Sequence, residues 1–400
     1  MKYDIAIIGG GIVGCATALA LSRSQKYNII VMEAENRLAF HQSGNNSGVI
    51  HAGLYYQPGS LKAKLCVEGR ETLYAFCEEH NIRYERCGKL VVAIYEEQIP
   101  YLEQLAVRGK ANGIEGIVKL DSSAIKDYEP HSAGIAGLHV PVTGIVDYIK
   151  IVEKYAELVI KNGGVIQTNT HVNNIIREND KLRLITSQGE IECCNLINCA
   201  GLYSDRVARR AGIKPGLQII PFRGEYYKIK PDKSHLVRNL IYPVPDPRFP
   251  FLGVHFTRRV GGAIEAGPNA VLAFSRQGYS HSQISLLEMA NMALYGGFWK
   301  MARKYWRMGL DEFHRSLDKS SFVKELQKLL PDIGEDDIIP GGSGVRAQAL
   351  EPDGSLVDDF RIVESENMIH VLNAPSPAAT ASLTIGEYIA ELAARKFEKA

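Results

Sequence analysis

The glycines at positions 9, 11 and 14 constrain this chain more than any other feature. Residues 4–8 form a short, mainly apolar run, and Gly9, Gly11 and Gly14 follow in the G-x-G-x-x-G spacing. An Ala/Leu-rich stretch runs to Arg23, and a second apolar run, residues 29–32, ends in Glu33. This is the order of a strand, a turn, a helix and a strand. Gly9 allows the tight turn, Gly11 lets a pyrophosphate approach the backbone, and Gly14 lets helix and strand pack closely. Free N–H groups at the helix start then face the phosphates. Glu33 lies 19 positions past Gly14, where a carboxylate meets a ribose hydroxyl. A dinucleotide site is the expectation. The competing reading is a tight turn in an unrelated α/β protein.

At 400 residues the chain exceeds a single core, so two domains are expected. Its 46% hydrophobic and 23% charged residues are those of a globular protein. A net charge of +1 argues against an electrostatic nucleic-acid binder. No apolar run reaches the length of a membrane span. The first residues enter a strand directly, so no signal or transit peptide is expected. The seven cysteines are odd in number and form no C-x-x-C, which reads as reduced cytoplasmic thiols and no metal site.

Residues 36–57 form a loop without periodicity, rich in small and polar side chains. Loops of this length beside a dinucleotide turn tend to be functional. Ser43, Asn46, Ser47 and Gly48 are the candidates for contact with the polar edges of a flat ligand. Ser60 can cap a helix over 61–79. A strand at 88–94 and a helix at 96–112 follow. Residues 120–130 look irregular and 134–140 extended. A helix at 147–162 ends in Gly163-Gly164. Four short runs over 165–194 suggest an antiparallel meander. Residues 195–199 read as a separate buried strand, and Ala200-Gly201 makes a second strand–glycine–helix junction that could return to the cofactor. From 218 to 267 strands alternate with turns, one of them over 251–258. Residues 282–330 are helical. A strand at 368–372 and a helix from 378 close the chain.

The fold expected is α/β: a Rossmann-like cofactor domain interleaved with an α+β substrate domain built on an antiparallel sheet. Residues 1–85, 146–215 and 338–400 are assigned to the first, 86–145 and 216–337 to the second.

Six stretches carry a resemblance. They are Asn46-Ser-Gly-Val-Ile-His51-Ala-Gly-Leu-Tyr55-Tyr56-Gln-Pro-Gly-Ser60-Leu-Lys62-Ala63, Pro221-Phe-Arg223-Gly-Glu225-Tyr226, Ile241-Tyr-Pro-Val-Pro-Asp-Pro247, Gly267-Pro-Asn-Ala270, Gly344-Val-Arg346-Ala-Gln348 and Asn373-Ala-Pro375-Ser-Pro-Ala378-Ala-Thr380. Together they resemble the L-2-hydroxyglutarate dehydrogenase/oxidase family, in the superfamily of D-amino acid oxidase and FAD-linked glycerol-3-phosphate dehydrogenase. The resemblance implies FAD in the Gly9–Glu33 site. It also implies oxidation of a 2-hydroxy dicarboxylate, with electrons passed to membrane quinones or oxygen. In one departure, Gln25 stands where many flavin folds carry a further glycine.

Such a reaction needs a base for the hydroxyl proton, most often His. His51 is the candidate because its loop should pass the flavin; it could instead be a histidine bonded to backbone or FAD. His255 is the runner-up. A dicarboxylate needs cations or strong donors at both ends, and the arginine fork suits a carboxylate. Arg346, among small and apolar residues, is one candidate, against a domain-interface salt bridge. Arg223 is another, but it could pair with Glu225. Tyr226 and Tyr56 are possible donors. Pro375, Ala378 and Thr380 lead into the last helix, whose positive end would face the reduced flavin.

Residues 298–308 hold both tryptophans and, at about 100° per residue, place Lys300, Arg303, Lys304 and Arg307 on one face with the aromatics and methionines opposite. A basic-and-aromatic helix can lie on an anionic bilayer; a surface helix packed on the substrate domain satisfies the same pattern. The location expected is cytoplasmic, with peripheral contact at the inner face of the cell membrane.

Overall fold

The computed structural model describes residues 2–246 and 252–397. Pro247 and Phe251, in segments singled out above, lie outside the described residues. The parallel core of the first sheet is Lys2–Ile8 between Ile29–Met32 and Gly189–Asn198, extended outward by Val165–Gln167 and Met368–Asn373. Ile5, Ile7, Ile29, Val31 and Ile197 are fully buried. Such strands are covered on both faces, hence their continuous apolar runs. The helices Ile12–Ser22, Tyr148–Lys161 and Ser382–Phe397 pack on one face. The hairpin Val172–Glu178 with Lys181–Thr186, and the helix Ser204–Arg210, cover the other.

The meander expected over 165–194 is smaller than its sequence suggests. Val165–Gln167 leaves it and pairs parallel with Ile29–Met32. Nor is there a break near 195. Gly189–Asn198 is one strand, antiparallel to Lys181–Thr186 in its first half and parallel to Met368–Asn373 in its second. Asn195 stays in the ladder opposite Ile5, and its side-chain amide donates to the Asp4 carbonyl at 3.2 Å.

The second sheet has nine strands among the described residues and is mostly antiparallel. Its spine is Gln218–Ile229 against Ile338–Leu350. The latter corrects the boundary at 338: this segment lies in the second sheet up to Leu350 before the chain returns to the first. Ile241–Pro243 and Ala136–Val140 flank Lys89–Ala93, which is buried at every position. Within the expected strand 251–258, the described part is His255–Arg258. A small sheet of Val49–Ile50, Gly144–Val146 and Tyr84–Glu85 places His51 directly after a buried strand.

Most helices fall where periodicity puts them, including Leu61–Glu79, whose cap Ser60 accepts from the Ala63 amide. Two differ. Residues 120–130 contain the helix Ser122–Tyr128, capped by the Asp121 carboxylate on the amides of Ser123 and Ala124. That Asp-Ser-Ser start is an N-cap signal the sequence reading passed over. The last helix begins at Ser382, because residues 374–381 form turns closed by Ala378 N–H to Pro375 O at 2.9 Å and Ala381 N–H to Pro377 O at 3.0 Å. Gln25, in place of the expected glycine, takes the left-handed conformation with φ 53° just past the first helix. Backbone of that kind costs a non-glycine residue roughly 1 kcal/mol and is tolerated singly. All seven cysteines are free.

Candidate active site

The glycine turn is tied down at two points and open at a third. Gly9 has φ 113°, and a Cβ there would lie 2.4 Å from the Cys199 carbonyl oxygen. A Cβ on Gly14 would lie 2.0 Å from the Gly9 carbonyl oxygen. At Gly11 a Cβ would meet only the Ser43 hydroxyl, at 3.2 Å. Gly11 is the N-cap of Ile12–Ser22 and offers no side chain to the first-turn amides. Of these, the Ile12 amide donates to Ser43 Oγ at 2.8 Å. A helix start with bare amides and room above them is a phosphate cradle. Glu33 closes it: its carboxylate accepts from the amides of Gly10 (2.7 Å) and Glu35 (3.0 Å). Burial raises its pKa, against those same hydrogen bonds. The Gly9 contact also brings Ala200 alongside, so the second junction does return to the first turn. Gly201 packs against Gln42 there. These residues fit a dinucleotide.

The loop over 41–48 then joins the two sheets. Asn46 folds it, donating to the carbonyls of Gln42 and Ser43 and accepting from the Gly48 amide. Ser47 sits half-buried between these anchors. A Cβ on Gly344 would lie 2.3 Å from the Asn45 carbonyl oxygen, and the Ala347 amide donates to Gln42 Oε1 at 3.0 Å. Arg346 lies between these two points. Its charge reaches both Tyr226 and His255, opposing the rise in the first pKa and adding to the fall in the second. Arg259, which the sequence reading did not single out, braces the same loop through the Asn46 carbonyl and holds Glu265.

His51 is clamped through its backbone. Its amide donates to Thr380 Oγ1 at 3.0 Å, and Tyr148 Oη lies 2.9 Å from the Val49 carbonyl and 3.1 Å from Thr380 Oγ1. Pro375, Ala378 and Thr380 are therefore turn residues ahead of the last helix, and Thr380 positions His51. The His51 ring, half-buried, has Nε2 3.4 Å from Ser376 Oγ. Burial lowers its pKa to about 3, helped by the charges of Lys89, His255 and Lys62. His255 is fixed more firmly: Nδ1 lies 2.9 Å from the Gly253 carbonyl and the ring centroid 3.9 Å from that of Tyr242. Burial lowers its pKa to about 4. Both rings are neutral near pH 7 and able to accept a proton. Tyr56, half-buried under the Lys62 ammonium, is kept protonated by burial. His51, Tyr56, Tyr226 and Arg346 each keep partial exposure among these buried groups.

Arg223 is elsewhere engaged. Its Nε donates to Glu225 at 2.8 Å, the other guanidinium nitrogens reach the carbonyls of Gly278 and Ser280 and the His281 ring, and the residue is 2% exposed. The structure thus realises the Glu225 pairing that the sequence left open. The residue the sequence reading missed is Lys89. It is 1% exposed, with its ammonium 4.3 Å from the Tyr55 ring centroid and 5.1 Å from that of Tyr242. The available signal was a cation inside the otherwise apolar run Gly88-Lys89-Leu90-Val91-Val92-Ala93.

Away from these residues, Gly296–Leu317 carries the basic residues but divides its aromatics. Met301 and Phe298 pack inward, while Trp299 and Trp306 are 60% and 54% exposed alongside Lys300, Arg303, Lys304 and Arg307. The expected single aromatic face is corrected accordingly. The preceding helix Leu286–Ala293 leaves Leu286 and Leu287 exposed, and Leu294 just past its end is exposed as well. No described helix is long and apolar enough to cross a membrane.

The FAD dependent oxidoreductase family pattern matches residues 4–392. The chain is 52% identical to the L-2-hydroxyglutarate dehydrogenase of Indibacter alkaliphilus, covering 99% of this chain and 100% of that one. It is 44% identical to the mitochondrial L-2-hydroxyglutarate dehydrogenase of Homo sapiens, covering 99% and 90%. Among solved structures, the FAD-bound, dithionite-reduced L-α-glycerophosphate oxidase of Mycoplasma pneumoniae superposes with a TM-score of 0.80 at 23% identity, covering 100% of this chain and 95% of that one. Glycine oxidase from Geobacillus kaustophilus gives 0.72 at 18% identity, covering 99% and 95%.

Proposed function

This chain belongs to the FAD-dependent oxidoreductase family, and from that premise we propose that it oxidises L-2-hydroxyglutarate to 2-oxoglutarate. The observation that carries the reading is the meeting of two kinds of group in one cleft: neutral, desolvated histidines at 51 and 255, and the arginine at 346 held against the cofactor loop. FAD, when bound, supplies the two-electron acceptor that takes the hydride from C2. It would be held by the Gly9–Gly14 turn, Glu33, the loop at 43–48 and the Ala200-Gly201 junction.

The chain's own residues do the rest. Arg346 grips the carboxylate beside the reacting carbon with its planar fork. Tyr226, Tyr56 and His255 line the remaining wall. His51 accepts the hydroxyl proton. Its low pKa in the free protein comes partly from neighbouring cations, and two substrate carboxylates offset them, so its basicity rises when the substrate arrives. A second reading gives the proton to His255. With Nδ1 donating to the Gly253 carbonyl, its Nε2 presents the lone pair.

The electrons pass on to the membrane quinone pool or to oxygen. The exposed tryptophans and leucines among Lys300, Arg303, Lys304 and Arg307 favour a peripheral contact of a cytoplasmic protein with an anionic inner leaflet. The reading is tested by turnover with an artificial electron acceptor on 2-hydroxy acids, glycerol 3-phosphate and amino acids. L-2-hydroxyglutarate should give the highest kcat/KM, and preference for glycerol 3-phosphate or an amino acid overturns it.

A further inference from the structure

A five-carbon dicarboxylate brings two negative charges, and Arg346 accounts for one. Other cations near the cleft already hold carboxylates of the chain: Arg223 holds Glu225, Arg259 holds Glu265 and Lys62 holds Asp358. Lys89 holds none among the described residues; its ammonium rests on the faces of Tyr55 and Tyr242. Buried charges in proteins are ordinarily paired, so an ammonium at this depth calls for an anion the chain does not supply. Its surroundings connect it to the reacting groups. The Tyr242 ring lies tilted against that of His255, centroids 3.9 Å apart, and the Lys89 charge acts on both His51 and His255. Lys89 opens an interior strand of the second sheet and pairs with Val140.

We propose that Lys89 is the counterion for the second, distal carboxylate of the substrate, in a subsite walled by Tyr55, Tyr242 and His255. The proposal rests on the substrate being a dicarboxylic 2-hydroxy acid, as read above. It makes Lys89 the residue that distinguishes dicarboxylates from 2-hydroxy acids with an apolar tail. The distinction arises because a dicarboxylate gains an ion pair at Lys89 that a chain without the second carboxylate does not form.

A protonation signature follows. Burial lowers the Lys89 pKa to about 7, and the nearby Cys66 is the one group acting the other way. The titratable and charged groups around it are His51, Tyr55, Cys66, Tyr242 and His255, each neutral near pH 8, and Lys62, which is paired with Asp358. At that pH the free protein holds Lys89 mainly neutral. A bound carboxylate favours the ammonium, so binding draws in a proton.

The test uses the FAD-loaded protein and glutarate, which has both carboxylates and no hydroxyl to react. Binding is followed by flavin absorbance and by calorimetry in buffers of different ionisation enthalpy at pH 8. Wild type should bind glutarate with net proton uptake. Lys89→Met should bind it about a hundredfold more weakly with no uptake, while kcat/KM for 2-hydroxyvalerate, a monocarboxylate of the same chain length, stays within a few fold. Equal glutarate affinity in both proteins overturns the subsite. So does an equal loss of kcat on both substrates, which would make Lys89 a participant in proton transfer. Lys89→Gln, with FAD content and Tm recorded, guards against a packing defect in the methionine variant. If glutarate binds as expected but L-2-hydroxyglutarate is not oxidised, the substrate assignment fails and the subsite stands.

Discussion

The two halves of this site are built from different materials. On the first sheet the proposed cofactor would meet main chain: first-turn amides beyond Ile12, with glycines at 9 and 14 allowing close packing and at 11 leaving room. Beside the second, the proposed substrate would meet side chains from four well-separated segments: His51, His255 and Lys89, whose pKa values burial lowers, and Arg346. A backbone site can be lost only by forcing atoms where backbone must be. A side-chain site can be dismantled one function at a time, with the cofactor left in place.

The largest effect should come from the first half. Gly14→Val puts a branched side chain where even a Cβ lies 2.0 Å from the Gly9 carbonyl oxygen, and the purified protein should be colourless with no recoverable FAD. A yellow, fully loaded variant would break the contrast. Next is the base. Replacing it with alanine should slow anaerobic flavin reduction roughly a hundredfold or more while FAD stays bound. The larger loss should fall on His51→Ala. If it falls on His255→Ala, the second reading takes its place. Arg346→Ala should then raise KM about a hundredfold with FAD retained. Arg223→Ala should leave KM within a few fold yet lower Tm, since its work is to answer Glu225 and three neighbouring groups inside the fold. A reversal of those two outcomes would put Arg223 back on the substrate. The smallest effect lies outside both halves. Exchanging Trp299, Trp306 and the four basic residues of that helix for serine should reduce cosedimentation with anionic vesicles several fold without changing kcat on soluble acceptors. Equal cosedimentation would end the membrane contact.

The same contrast explains what the sequence disclosed. The cofactor half was legible because its determinants are local: a glycine spacing, a flanking apolar strand on each side and an acid at a fixed distance. Within the loop expected over 36–57, Ser43 bonds the glycine turn, and Ala200 of the second junction lies beside Gly9; small residues next to a buried strand are visible without knowing their partners. The substrate half was only partly legible. Arg346 stood out by its small neighbours, but Arg223 carried much the same signature and proved to be an internal ion pair, since nothing in a linear chain tells which cation has a carboxylate within reach. Lys89 went unread because one lysine at a strand end ordinarily points to solvent; only the strands on either side bury it. Thr380 looked like the start of a helix and acts as a clamp on His51, a role set by a partner 329 residues away. The strand from 338 was misassigned for the same reason, its register being fixed by the distant residues 218–229.

The central claim is met most directly by anaerobic mixing of the FAD-loaded protein with each enantiomer of 2-hydroxyglutarate, watching the visible flavin band. The account predicts rapid bleaching with the L form and 2-oxoglutarate formed in equal amount to the flavin reduced. A band unchanged by the L form, in protein that dithionite still bleaches, would contradict it.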